Sequence, residues 1–212
     1  MPSFLLFLFI LLFSVKSISQ HAEGSVIPWY FPGISYKANS KLEWWGQYGL
    51  NPEQNMHAAW LQVFIKTGKH LTLNPAYLYL NIDRFNEGHL HDHTLMNSAI
   101  IHFSINKLTI DDRNMIWNRF RRKEKDLHFY RNRLRFTRPL QTRFMLIKPY
   151  LFDEVSFSFN DGRFTRNRLA AGISCKLNGW FLFDISWLRE QDRYNGATNL
   201  LFIMAVVQLA KS

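Results

Sequence analysis

Two stretches, FYRNRLRFTRPL (129–140) and MLIKPYLFDEVSF (145–157), most restrict what this chain can fold into. In the first, Arg131, Arg133 and Arg135 share one parity, and Tyr130, Leu134 and Phe136 share the other. Successive side chains of a strand point to opposite faces, so this is a strand with a cationic face and a largely apolar one. In the second, Lys148, Tyr150 and Glu154 oppose Met145, Ile147, Leu151, Val155 and Phe157. A water-soluble sheet would turn the apolar face into a core. A transmembrane barrel turns it to lipid and points the charged face into the lumen.

The N-terminus favours the second solution. Phe4–Phe13 is an unbroken apolar run followed by the polar Ser17–Ser19. Such a run suits the core of a secretory signal peptide and is too short to span a bilayer. Cleavage after Ser19 is expected, which divides the chain into a signal peptide (1–19), a lead-in segment (20–38) and a β-barrel domain (39–212). No later segment holds the roughly 18 apolar residues of a spanning helix, so an integral membrane form must be a closed barrel. The single cysteine, Cys175, excludes an internal disulfide. The formal charge is +10, and removal of residues 1–19 takes away Lys16 alone. Such charge suits nucleic acid or anionic lipid, and export argues against nucleic acid. The charge then points to outer-membrane lipids, lipopolysaccharide among them, as partners. Aromatic residues make up 16% of the chain, a load that fits the interfacial girdles of a barrel.

Period-2 segments recur along the chain, and no window sustains a helical period. They cover 42–50, 57–66, 71–82, 95–105, 108–120, 129–140, 145–157, 164–177, 181–191 and 199–209. The segment 26–36 is set aside because Pro28 and Pro32 cannot donate to a ladder. The count is therefore ten, with twelve as the alternative through an unread hairpin. The linkers read as alternately tight and longer, the longest being DRFNEGHLHD (83–92), as between the two sides of an outer-membrane barrel. The predicted fold is an all-β, antiparallel, up-and-down transmembrane barrel in the outer membrane of a Gram-negative-type envelope.

The order WNRFRR (117–122), YRNRLRF (130–136), Pro139–Leu140, YLFDEVSF (150–157) and RNRLAAGIS (166–174) resembles a bacterial family catalogued as domain of unknown function 2490. The resemblance covers the C-terminal half in its motifs and the N-terminal half in its strand rhythm. It implies an exported outer-membrane β-barrel and supplies no activity.

The candidate residues form several groups. The ionisable set expected in the lumen is Arg131, Arg133, Arg135, Lys148, Glu154, Arg166, Arg168, Asp184 and Glu190. In a narrow barrel these read first as a plug of arginine–carboxylate pairs, with Glu154 opposite Arg133 or Arg135 on one side and Arg166 or Arg168 on the other. Their cationic excess also suits an anion path. His89, His91 and His93 form H-x-H-x-H in the longest predicted loop, a weak metal candidate. His102 and Ser104 share a face without any G-x-S-x-G elbow. The RRKEKD run (121–126) reads as a charged hairpin tip or a contact for lipid phosphates. Trp44, Trp45, Trp60, Trp117, Trp180 and Trp187 sit mostly near strand ends, as girdle residues do. These features favour a monomeric structural or interaction protein without a cofactor. The alternatives are a narrow anion-preferring channel and a lipid-modifying enzyme.

Overall fold

The computed structural model describes residues 26–84, 88–122, 124–177 and 179–210. The expected signal peptide lies outside them. Among the described residues every regular element is a strand, and no helix is long and apolar enough to cross a membrane. The strands are β1 (Val26–Lys37), β2 (Leu42–Asn51), β3 (Met56–Lys66), β4 (Leu71–Arg84), β5 (Gly88–Ile105), β6 (Leu108–Arg121), β7 (Leu127–Thr137), β8 (Leu140–Gln141), β9 (Met145–Ser158), β10 (Arg163–Leu177), β11 (Phe181–Asp192) and β12 (Gly196–Ala210).

Among the described residues eleven strands close into a barrel, in the order β1 to β7, then β9 to β12, and back to β1. The two-residue β8 pairs only with β9 and lies outside the closure. All pairings within the barrel are antiparallel except the seam, where β1 runs parallel to β12 in unbroken register from Val26↔Asn199 to Lys37↔Ala210. A barrel with an odd number of strands must contain one such parallel pair. The additional strand is β1, the segment that its prolines argued against. Pro28 and Pro32 are four residues apart, so their missing donors fall on one side of the strand. The ladder to β2 skips Phe31 and Pro32, whereas the ladder to β12 is unbroken, so the sheet loses bonds on one flank only.

The connections also differ from the sequence expectation. Residues 52–55, 67–70, 106–107, 159–162 and 193–195 are all tight turns, so short connections occur at both rims. The expected long loop is absorbed into strands, with β4 and β5 pairing as far as Arg84↔Gly88. At Asn106 a positive φ of 54° opens the two-residue turn to β6, a backbone state that asparagine tolerates. The rim with turns 52–55, 159–162 and 193–195 is here called upper, and the rim with 67–70 and 106–107 lower.

Alternation separates lumen from exterior. On β5, Asp92, Thr94, Met96, Ser98 and Ile100 are buried, while Leu95 and Phe103 are exposed. The outer wall shows Ile34, Leu61, Leu151, Leu169 and Ile173 at mid-height. Exposed aromatics follow at the rims: Tyr48, Phe120, Phe159, Phe164 and Tyr194 above, and Tyr36, Trp44, Phe103, Phe144 and Trp180 below. An apolar band between two aromatic girdles is the outer surface of a membrane barrel. Half of the tryptophans expected in these girdles point inward instead. Trp44, Trp180 and Trp187 are exposed, but Trp45, Trp60 and Trp117 share the parity of the lumenal residues. Proximity to a strand end does not fix the face; parity does.

The lumen has two unlike halves. On one side Ile27, Ala170, Leu188 and Leu200 are buried against Trp29, Phe152 and Phe202. Phe31 extends this wall, stacked on Trp29 at 5.6 Å and on Phe202 at 5.7 Å, with Trp60 edge-on at 6.3 Å. The other half is ionic.

Candidate functional site: the lumenal charge network

The network rests on one lateral row across five strands. Register places Arg113 (β6) beside Arg133 (β7), then Glu154 (β9), Arg168 (β10) and Glu190 (β11). The row above it holds Arg131, Ser156, Arg166 and Asp192. Below it come Asp111, Arg135, Phe152 and Ala170. All project inward because they share one parity with buried neighbours.

Glu154, 2% exposed, is the hub. Its carboxylate accepts from Arg113 Nη2 at 2.6 Å, from Arg131 Nη2, and from Arg168 Nη1 at 3.4 Å. Arg168 also donates from Nε to Glu190 at 2.5 Å, and Arg166 from Nε to Asp192 at 2.9 Å. Asp184 accepts from the Tyr150 hydroxyl at 2.7 Å. Lys148 lies lower, opposite Ser174. Across the three rows six arginines face four carboxylates. The excess falls on Arg133 and Arg135, which among the described residues have no carboxylate in hydrogen-bonding reach. They stack on rings instead, Arg133 over Phe152 at 5.3 Å and Arg135 over Tyr150 at 3.7 Å. Arg131 lies over Trp117 at 4.4 Å. Cation–π contacts hold a guanidinium in place without neutralising it, so the site keeps net positive charge.

Asp111, Arg113 and Asp192 belong to this network and are not among the residues expected there from the sequence. On β6 both parities are polar, so alternation gave no face for Arg113. Its signal was an indirect one: it shares a parity with Met115 and Trp117.

Above the network the lumen widens into a vestibule of about 420 Å³ at the upper rim, lined by Asp92, Arg119, Arg166, Asp192 and Tyr194 among others. Arg119 Nε donates to Asp92 at 2.8 Å. In the adjoining turn the Ser158 hydroxyl donates to Asp161 at 2.7 Å and holds that exposed carboxyl below its ordinary value.

His102 meets Thr72 and Asp111 rather than Ser104. Asp111 Oδ1 lies 2.6 Å from His102 Nδ1, and Thr72 Oγ1 lies 2.9 Å from His102 Nε2. This is the order of an acid–histidine–hydroxyl relay. Thr72 is only 6% exposed, however, so its hydroxyl offers a substrate no approach. In this arrangement the trio cross-links β4, β5 and β6.

His89, His91 and His93 lie on β5 and face outward, not in a loop. His93 Nδ1 is 2.6 Å from the Tyr77 hydroxyl and His91 Nδ1 2.7 Å from that of Tyr79, while His89 lies 3.9 Å from Asp83. Tyrosine hydroxyls thus take up Nδ1 of His91 and of His93. Among the described residues no group of three or more His, Cys, Asp or Glu could hold an ion.

Comparison with solved structures places the fold among outer-membrane β-barrels. A bacterial polysaccharide outer membrane secretin superposes with a TM-score of 0.52 at 10% identity, covering 79% of this chain and 64% of that one, so the present chain spans less than two thirds of its length. LpxR from Salmonella typhimurium superposes with a TM-score of 0.52 at 6% identity, covering 79% of this chain and 83% of that one. At such identities the likeness concerns the fold alone. No curated protein matches the sequence. The family model described as "Protein of unknown function (DUF2490)" matches residues 29–200, and the chain belongs to that family.

Proposed function

We propose that this chain is exported by its N-terminal signal peptide to the outer membrane, and that it works there with a closed lumen, as a binding or structural component rather than as a pore. One observation carries this reading: Glu154 is almost wholly buried inside its arginine cluster, and Arg133 of that cluster lies over Phe152, which packs on the apolar cluster of Ile27, Ala170, Leu188 and Leu200. Small barrels are commonly filled by their own side chains. The test is conductance in planar bilayers. The wild-type protein should give no steady current. A steady anion-selective current that disappears in Arg133→Ala and Arg168→Ala would establish an anion path instead and overturn the closed-lumen reading.

A second observation favours lipid phosphate as the ligand. On the outer surface at the upper rim an open groove of about 620 Å³ is lined by Tyr79, His91, His93, Phe120, Arg122 and Asp126. Exposed cations next to aromatic and imidazole rings at headgroup height suit the phosphates of lipopolysaccharide. An arginine at a charged membrane surface contributes about 1 kcal/mol, so Arg122→Ala should weaken lipopolysaccharide binding about fivefold. Undiminished binding to purified Arg122→Ala protein would remove the groove from consideration.

A further inference from the structure

The outer wall is not uniformly apolar. On β6, β7, β9 and β10, Asp112, Asn114, Asn132, Asp153 and Asn167 share the outward parity and form a lateral belt. Asn132 Nδ2 donates to Asp112 Oδ1 at 2.6 Å and to Asn114 Oδ1 at 3.2 Å. The Tyr130 hydroxyl donates to Asn114 Oδ1 at 2.5 Å, and Asn167 Nδ2 donates to Asp153 Oδ1 at 2.7 Å. The belt does not belong to a rim. On its upper side the facing row is Ile116, Tyr130, Phe157 and Phe164, and on its lower side Ile110, Phe136, Leu151 and Ala171. The outer faces of β2 and β3 pair Tyr48 with His57 near the upper rim and are apolar below it, with Trp44 and Gly46 on one and Ala59, Leu61 and Val63 on the other.

Lipid cannot satisfy these groups. Polar side chains in the hydrocarbon band act as adhesive between proteins because their alternative is an unpaired group in oil. The bonds within the belt leave specific groups over. Asn114 Oδ1 already accepts twice, yet its Nδ2 donates to none of the described residues. Asp153, exposed, has one carboxylate oxygen bonded and the other bare. Free donor and free acceptor stand on β6 and β9, which flank β7 on either side.

We infer that this wall binds a second copy of the chain, across a two-fold axis that runs along the barrel in front of β7. That operation sets β6 of each copy against β9 of the other. The Asn114 amide of each then donates to the Asp153 carboxylate of its partner, while Leu134, 37% exposed on β7, meets its own symmetry mate at the axis. The contact is isologous and closes as a dimer. It fits a second copy because one face presents both the missing donor and the missing acceptor. It replaces the monomer expected from sequence.

The test uses Leu134→Cys in a Cys175→Ser background, treated with a short bismaleimide in native outer membranes. A cross-linked band of two chain masses is expected. Asn114→Asp should reduce it about tenfold by setting two carboxylates against each other. The near-isosteric double exchange Asn114→Asp/Asp153→Asn should restore it, since donor and acceptor merely change places. A loss that reflected misfolding would not be rescued in this way. Three results would overturn the proposal: no dimeric band, an adduct with a different protein, or a double exchange that stays monomeric.

Discussion

Glu154→Gln is expected to lower the unfolding midpoint more than the same amide exchange at any other lumenal carboxylate. Glu154 is almost wholly buried, and Arg113, Arg131 and Arg168 all bond to its carboxylate. An amide of the same shape keeps the volume but removes the charge that holds three guanidinium groups together. Arg168 retains Glu190. Arg131 and Arg113 retain no carboxylate among the described residues, and Arg131 keeps its place over the Trp117 ring. Breaking a buried pair from one side typically costs about 3–5 kcal/mol, because a desolvated charge is left behind. Urea titration of the protein in lipid vesicles, followed by tryptophan fluorescence, measures the shift. An unchanged midpoint would mean that the arginines are hydrated and that the lumen is open water. Glu154→Leu is expected to be worse, since leucine offers no acceptor at all.

Gly33→Val has the second largest expected effect and acts on closure rather than on charge. A Cβ at Gly33 would lie 2.6 Å from the Gly46 carbonyl oxygen and 2.7 Å from Gln47 Cγ. The first is backbone and cannot swing aside without opening the Gly33↔Gln47 and Ile34↔Gly46 pairs. β1 carries the seam, so displacement there loosens the pairing with β12 as well. Overpacking of this kind costs about 1–3 kcal/mol or more. Gly46→Ala is the control: its Cβ meets Leu61 Cδ2 at 3.7 Å, an ordinary contact, and points to lipid. Gly33→Val should leave less of the compact, heat-sensitive species on a gel, and Gly46→Ala should leave it unchanged. Equal behaviour of the two would place the seam elsewhere.

The contrast between these two sites shows what a sequence discloses about such a barrel. Alternation over 129–140 and 145–157 assigns Arg131, Arg133, Arg135 and Glu154 to one surface, because side chains of a strand have no third direction. Register is different. It depends on where each hairpin turns, and the sequence left Glu154 facing either Arg133 or Arg135, where the structure takes Arg133. β1 was illegible for a related reason. Its prolines forbid a donor on one flank only, and one-dimensional reading cannot tell a strand with one damaged flank from no strand. β6 hid Arg113 because its outward face carries Asp112 and Asn114, which erases the contrast that alternation needs. The same residues that blurred the reading form the belt assigned here to a dimer contact. His102 was paired with Ser104 by proximity along the chain, whereas cross-strand neighbours, Thr72 and Asp111, are what it meets.

The central claim, a closed barrel seated in the outer membrane, is tested most directly by the migration of the wild-type chain from fractionated envelopes, with and without boiling. The account predicts that the protein is found in the outer-membrane fraction and that unheated and boiled samples migrate differently, because a sealed ladder of eleven strands resists detergent until heated. Recovery in the soluble periplasmic fraction with a single heat-independent band would contradict it.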